Sequence, residues 1–241
     1  MFPLRDNIPT EHFPVVTVLL ILANAFVYFF LQGGLWSLPD GGAGGDWPVA
    51  LYAAIPCEFT GDGVCNTAPG GPPTLLTAFT SMFMHGSLLH IGGNMLFLWI
   101  FGNNVEDSMG PVKFLVFYLL SGLAADAAQI LIDTSSAIPT LGASGAVAGV
   151  LGGYLLLFPR ARVVTVIFII FFFTILELPA ILFLAIWIGQ QFLFAYFDLV
   201  GPSEGGGVAY FAHIGGFLFG LALVRVFASE RRRKRQIELM H

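Results

Sequence analysis

The chain has 241 residues, is 56% hydrophobic and only 10% charged, and its 25 phenylalanines exceed what a soluble core of this length needs. That composition excludes an ordinary water-soluble domain and indicates an all-α, polytopic membrane protein. The net charge of −5 conceals an uneven distribution, with acidic residues in some loops and basic residues collected in others, and nucleic acid is not an expected partner.

A bilayer core ~30 Å thick and a rise of ~1.5 Å per residue require roughly 20 mostly apolar residues per helical crossing. Six spans are predicted, at Val15–Leu31, Leu88–Gly102, Val112–Ile132, Ala143–Phe158, Pro179–Phe197 and Tyr210–Phe227. They divide the chain into a cytoplasmic N-terminal segment at 1–14, one membrane domain at 15–227 and a basic cytoplasmic tail at 228–241. The first span reads as a retained helix, because its small-x-small triplet Ala23-Asn24-Ala25 lies inside the apolar stretch and not after it.

Residues 33–73 are rich in Gly and Pro and carry no basic residue, which predicts a large outward loop. Cys57 and Cys65 lie within it, separated by a turn-prone stretch; a disulfide or two free thiols fit this spacing. Between the fourth and fifth spans, Val163–Leu178 is apolar enough to cross, yet a seventh crossing would reverse the tail. A half-span, an interfacial segment or an extension of a tilted fifth helix are the expected alternatives.

The basic residues are Arg5, Lys113, Arg160, Arg162, Arg225 and the run Arg231–Arg235. All fall on segments that six spans bring to one face, which the positive-inside rule makes cytoplasmic. The run Arg231–Arg235 reads as an anchor on anionic membrane lipid.

Polar groups at membrane depth are costly, so three constellations stand out. The first holds His85, His90 and Asn94. At ~100° per residue positions 90 and 94 share a helix face, whereas position 85 would diverge from 90. Interhelical hydrogen bonding is the simplest role for these side chains. The second, Gly142-Ala143-Ser144-Gly145, opens the short fourth span, whose N-terminus offers unpaired N–H groups below the membrane surface. Gly145 and Gly149 repeat at four-residue spacing, a pattern that lets helices approach closely. The third places His213 ahead of Gly216 and Gly220, again four apart. Packing of the sixth span on the fourth would bring His213 toward Ser144, and histidine is the usual base for a serine nucleophile.

The order of these three motifs resembles the rhomboid intramembrane proteases, over about Phe79–Phe227. The resemblance implies a six-helix bundle and a serine-type endopeptidase with a Ser144–His213 dyad and no third carboxylate. It also implies an oxyanion hole made by His90, Asn94 and the Ser144 N–H, with His85, Gly142, Gly145, Gly216 and Gly220 in supporting roles. Glu106, in a stretch like the end of the family's second helix, is expected to be structural. Implied substrates are single-span membrane proteins cut near the outer face at small residues in a locally unstable helix. No cofactor or metal is implied.

Two positions depart from the family pattern. Leu76 and Thr77 stand where many rhomboids carry Trp-Arg, and Ala148 stands where some carry an aromatic that stacks on the base. Asp126 is a candidate interhelical hydrogen-bonder, a residue that keeps water near the site, or a third triad member. Gln190 and Gln191 read as interhelical hydrogen-bonders. Two other function classes compete: an inactive rhomboid-like binder of transmembrane helices, and a haem or metal protein using His85, His90 and His213. The absence of extra domains fits a bacterial inner-membrane location.

Overall fold

The computed structural model of the chain describes residues 2–33, 49–65, 70–169, 172–201 and 207–238. Much of the outward loop expected at 33–73, and the last residues of the basic tail, therefore lie outside the described residues. Helix α1, Val15–Phe26, continues through a π-helical turn at Val27–Leu31. Short helices α2 (Val49–Tyr52) and α3 (Pro56–Thr60) follow, then α4 (Thr74–Thr80), which ends in a 3-10 turn at Ser81–Phe83. Helix α5, Leu88–Phe97, runs through a second π turn, Leu98–Gly102, into α6, Asn103–Met109. Gly110, at φ +86°, then reverses the chain, and Pro111 opens α7, Pro111–Ile132, where a missing N–H costs nothing.

The remaining helices are α8 (Ser144–Leu157), α9 (Ala180–Val200), α10 (Tyr210–Phe227) and α11 (Glu230–Glu238). Three of the expected spans, α7, α9 and α10, are long and apolar enough to cross a membrane. Val15–Leu31 and Ser144–Leu157 are shorter apolar helices, and the expected second span is helical but divided by its π turn. Exposed Phe192, Leu193 and Phe197 on α9 are the outward-facing apolar surface that a lipid environment requires.

Helix α8 is the centre of the bundle, buried from Gly145 to Tyr154. Its Gly and Ala residues present almost no side-chain bulk, so neighbouring helices meet its backbone directly. An added Cβ at Gly220 would strike the Gly149 carbonyl, one at Gly216 the Gly145 carbonyl, and one at Gly152 the Phe217 carbonyl. The four-residue glycine spacing on both helices is thus the seam between α8 and α10.

The chain is not all-α. Strands β1 (Phe2–Asp6), β2 (Arg162–Ile169) and β3 (Phe172–Pro179) form an antiparallel sheet in that order. Val163–Leu178 is therefore a hairpin, with Arg162 opposite Pro179 and Ile169 opposite Phe172, and not an extension of a tilted fifth helix. Its run of Val, Ile, Thr and Phe has the β-branched and aromatic content that favours strands, while its uniform apolarity hides the two-residue period. The N-terminal segment supplies the third strand, pairing Phe2 with Val166 and Asp6 with Val163.

Three carboxylates sew this segment onto the bundle. Glu106 accepts from the N–H groups of Val16 and Thr17 at 2.9 and 2.8 Å and from the Thr17 hydroxyl at 2.7 Å, capping the otherwise uncapped start of α1. Asp107 accepts from the Glu11 N–H at 2.7 Å and pairs with His12. Asp6 accepts from Tyr154 Oη on α8 and Asn104 Nδ2 on α6, both at 2.6 Å.

Burial raises the Asp6 carboxyl from 3.8 to about 6, against the opposing pull of its hydrogen bonds, that from Tyr154 foremost. The folded state thus favours the protonated form: its contribution to stability is complete below pH 3.8 and is lost as pH rises through about 6. Thermal unfolding of the purified chain in detergent should show the wild type losing ground to Asp6→Asn across that window. A difference between the two that does not change with pH would refute this role for Asp6.

Candidate active site

Ser144 is the first residue of α8, and the 14 residues of that helix span ~21 Å, less than a bilayer core. The helix starts here because Gly142, at φ +121°, reverses the incoming chain, with the Gly142 N–H donating to the Ser81 carbonyl at 2.9 Å. The space over Gly142 is already taken: an added Cβ would lie 2.8 Å from His90 Cε1 and Nε2 and 3.6 Å from Ser144 Oγ. The His90 ring edge and the Ser144 hydroxyl therefore border the same small volume. At the first turn of a helix the Ser144 N–H has no intrahelical acceptor.

His90 is oriented by its own helix start. Ser87 caps α5, its Oγ accepting from the His90 N–H at 3.1 Å. The Gly86 N–H donates to His90 Nδ1 at 3.4 Å, so the neutral ring carries its proton on Nε2, the nitrogen that faces Gly142. One turn on, Asn94 Nδ2 is buried without a hydrogen-bond partner among the described residues, a donor pair left for something else.

His85 does not diverge from His90 as helical geometry suggested. Because α5 begins only at Leu88, His85 lies on the incoming chain and folds back, its ring edge-on to that of His90 at 5.0 Å between centroids. The Ala143 N–H points to His85 Nε2 at 3.5 Å, and the His85 backbone N–H donates to Gln32 Oε1 at 3.0 Å. This residue braces the loop that delivers Ser144.

His213 lies in the first turn of α10, buried, one turn before Gly216. The contacts of Gly216 with the Gly145 carbonyl and of Gly145 with the Ala212 carbonyl pack the turn of α10 that carries His213 against the first turn of α8, which Ser144 opens. The Gln129 side chain on α7 accepts from the Ala212 N–H at 3.2 Å and steadies this end of α10. Gln191 on α9 holds the imidazole, with its Oε1 2.7 Å from His213 Nδ1. Since the amide oxygen only accepts, Nδ1 carries the proton and Nε2 keeps its lone pair. The Trp187 ring lies 5.9 Å from that of His213, tilted 35°. No hydrogen bond joins His213 to Ser144 among the described residues.

Gln191, expected from the sequence to hydrogen-bond between helices, does so with His213, a partner that the sequence did not name. A polar side chain on the same α9 face as Trp187, four residues apart, was the available signal. The support for the His213 ring comes from α9, and position 148 is filled by a fully buried alanine. Asp126 accepts from Ser81 Oγ at 3.3 Å, and the Ser81 carbonyl receives the Gly142 N–H; it backs the loop before Ser144 and does not pair with His213. Thr77, in the place of the family arginine, turns inward and donates to the Thr74 carbonyl at 2.7 Å.

Other sequence candidates sit apart. Glu106 lies at the far end of the bundle, in the cap of α1. Cys57 and Cys65 are joined by a disulfide in the loop that carries α3, and that loop is pinned to the segment before α8 by Cys57 N–H to Ser136 O at 3.0 Å and by the paired Ala54 and Thr140. Among the described residues no group of three or more His, Cys, Asp or Glu is placed to hold a metal ion.

Residues 72–230 match the family described as Rhomboid domain. The chain belongs to the rhomboid family. It is 30% identical over 164 residues to rhomboid protein 1, mitochondrial, of Saccharomyces cerevisiae, covering 66% of this chain and 44% of the yeast protein. It is 29% identical over 204 residues to the presenilin-associated rhomboid-like protein, mitochondrial, of Rattus norvegicus, covering 84% of this chain and 46% of the rat protein. The human protein of the same name is 29% identical over 143 residues, 58% of this chain and 35% of its own length. This rhomboid chain thus spans less than half the length of these curated relatives.

All three relatives are named as mitochondrial, which overturns the expectation of a bacterial inner membrane. Charge asymmetry records which segments of a rhomboid chain share a face; it carries no information on the organelle. The cytoplasmic and outward labels fall with it, and the two ends are called below the basic face and the opposite face.

Proposed function

We propose that this rhomboid is an intramembrane serine endopeptidase that cleaves single-span membrane proteins near the face opposite its basic residues. The observation that supports the reading is the arrangement of His213: its Nδ1 is held by Gln191, which leaves the Nε2 lone pair free, and its turn of α10 packs on the start of α8 across the glycine seam.

In the mechanism that follows, His213 Nε2 takes the proton of Ser144 as Oγ attacks the scissile carbonyl carbon. Negative charge then develops on the carbonyl oxygen, where His90 Nε2–H, the unpartnered Asn94 Nδ2 and the Ser144 N–H can donate. His213 returns the proton to the leaving amine as the C–N bond breaks. Water, deprotonated by the same nitrogen, hydrolyses the acyl-enzyme and restores Ser144. A helix cannot present its carbonyl to Oγ while that oxygen is hydrogen-bonded within it, so substrates with small residues and a locally unstable helix fit best.

A fluorophosphonate probe tests this directly: the wild type should be labelled at Ser144, and Ser144→Ala should not be. Asn94→Ala should label and cleave more slowly by roughly a hundredfold or more, the cost of one lost oxyanion donor. A folded wild type that neither labels nor cleaves would replace this reading by that of a helix-binding, catalytically silent rhomboid.

A further inference from the structure

At the basic face, the end of α8, the start of β2, the end of α10 and α11 border an open cavity of about 610 Å³. Four arginines line it: Arg160 and Arg162 from the α8–β2 connection, Arg225 from the last turn of α10 and Arg233 from α11. Phe158 and Ile237 contribute to its apolar lining, and no carboxylate lines it. A smaller space of about 260 Å³ shares Arg225 and Arg233 and is bordered by Ser229 and Glu230.

The charges around this cavity are poorly neutralised. Among the described residues Arg160, Arg225 and Arg233 have no ion pair, and Arg162 meets Glu177 only at 4.0 Å, both side chains being exposed. The contrast lies within α11 itself, where Arg235 forms a 2.6 Å pair with Glu11. Four like charges converge on one cavity against their mutual repulsion, an arrangement suited to an anion with several acceptor oxygens. Guanidinium groups match phosphate through paired N–H donors. The apolar lining of the cavity, and exposed Leu223 and Val226 flanking Arg225 on α10, supply the surface that acyl chains would cover.

We infer that this cavity is a binding site for the phosphate headgroup of an anionic phospholipid, its acyl chains lying along the lipid-facing side of α10. The site differs from a diffuse basic anchor, because three of its four arginines lie outside the run Arg231–Arg235. A lipid seated there would tie together the far ends of α8 and α10, the two helices that carry Ser144 and His213 at their opposite ends. Binding itself needs no assumption about the chemistry at Ser144.

The experiment uses the full chain in a zwitterionic detergent. Native mass spectrometry and thermal unfolding are followed on titration with phosphatidylglycerol, with phosphatidylcholine, and with inorganic phosphate. Phosphatidylglycerol should bind and raise the unfolding midpoint, phosphatidylcholine should not, and inorganic phosphate at comparable concentration should have little effect. Arg225→Gln and Arg233→Gln should each weaken phosphatidylglycerol binding about tenfold, as expected for a lost charge-assisted hydrogen bond. Arg231→Gln and Lys234→Gln, which do not line the cavity, are the matched charge controls and should retain binding. Equal losses in all four variants would replace the site by non-specific attraction. A midpoint shift reproduced in full by inorganic phosphate would reassign it to a free anion, and indifference to lipid charge would remove it.

Discussion

His213→Ala is expected to lower the rate of peptide cleavage by about a hundredfold to ten-thousandfold, the usual contribution of a positioned general base. The imidazole is one turn from the Gly216 contact and buried, so its removal leaves a small void next to Trp187 without disturbing the α8–α10 seam. Cleavage should therefore fall far more than thermal stability. Gln191→Leu separates the base from its orientation. It removes the acceptor 2.7 Å from Nδ1 while conserving volume, and should slow fluorophosphonate labelling roughly tenfold or less, the scale of one hydrogen bond. Gln191→Glu, which keeps an acceptor at that point, should recover most of the labelling rate. Labelling rates of both variants equal to the wild type would show that His213 is held by packing alone.

Gly220→Val is expected to be the most damaging single substitution in the bundle. At that position even the first added carbon meets the Gly149 carbonyl and lies 2.8 Å from the Gly149 Cα, and these are backbone atoms of a buried helix that cannot rotate aside. Overpacking of a core ordinarily costs ~1–3 kcal/mol when side chains can adjust. Here the helices must separate, and in a membrane their association rests on close packing with little hydrophobic gain to offset the loss. Misfolded or protease-sensitive protein should result. Gly189→Ala on α9 is the matched control: an added Cβ there meets nothing within 4 Å, and the helix gains ~1 kcal/mol from losing a glycine. Thermal midpoints of the two variants and the wild type decide the matter, and a Gly220→Val protein as stable as the wild type would disprove the seam.

The seam also explains why the motifs lie where they do. Ser144 immediately precedes Gly145, and His213 precedes Gly216 by one turn, so the register in which Gly145 meets Gly216 is also the register that the proposed Ser144–His213 pairing needs. A slip of one helical turn, ~5.4 Å, would leave both glycine stripes in contact but carry His213 past Ser144. The seam alone does not prevent that slip. Gln129 on the first turn of α10 and Gln191 on His213 fix the register from two other helices.

Composition and motif spacing determined that this chain is a helical membrane protein, which segments are apolar, and which short motifs could share one membrane depth. They also marked the glycines at four-residue spacing, because close backbone approach leaves a direct trace in sequence. Tertiary structure alone decided the rest. Val163–Leu178 is a hairpin because an N-terminal strand pairs with it from more than 150 residues away, a partner that no local window contains. His85 meets His90 because the Ser87 cap starts α5 after it, so the helical angle between them never applies. Gln191 holds His213 because α9 packs beside α10, and a glutamine in an apolar run looks the same in sequence whatever it bonds.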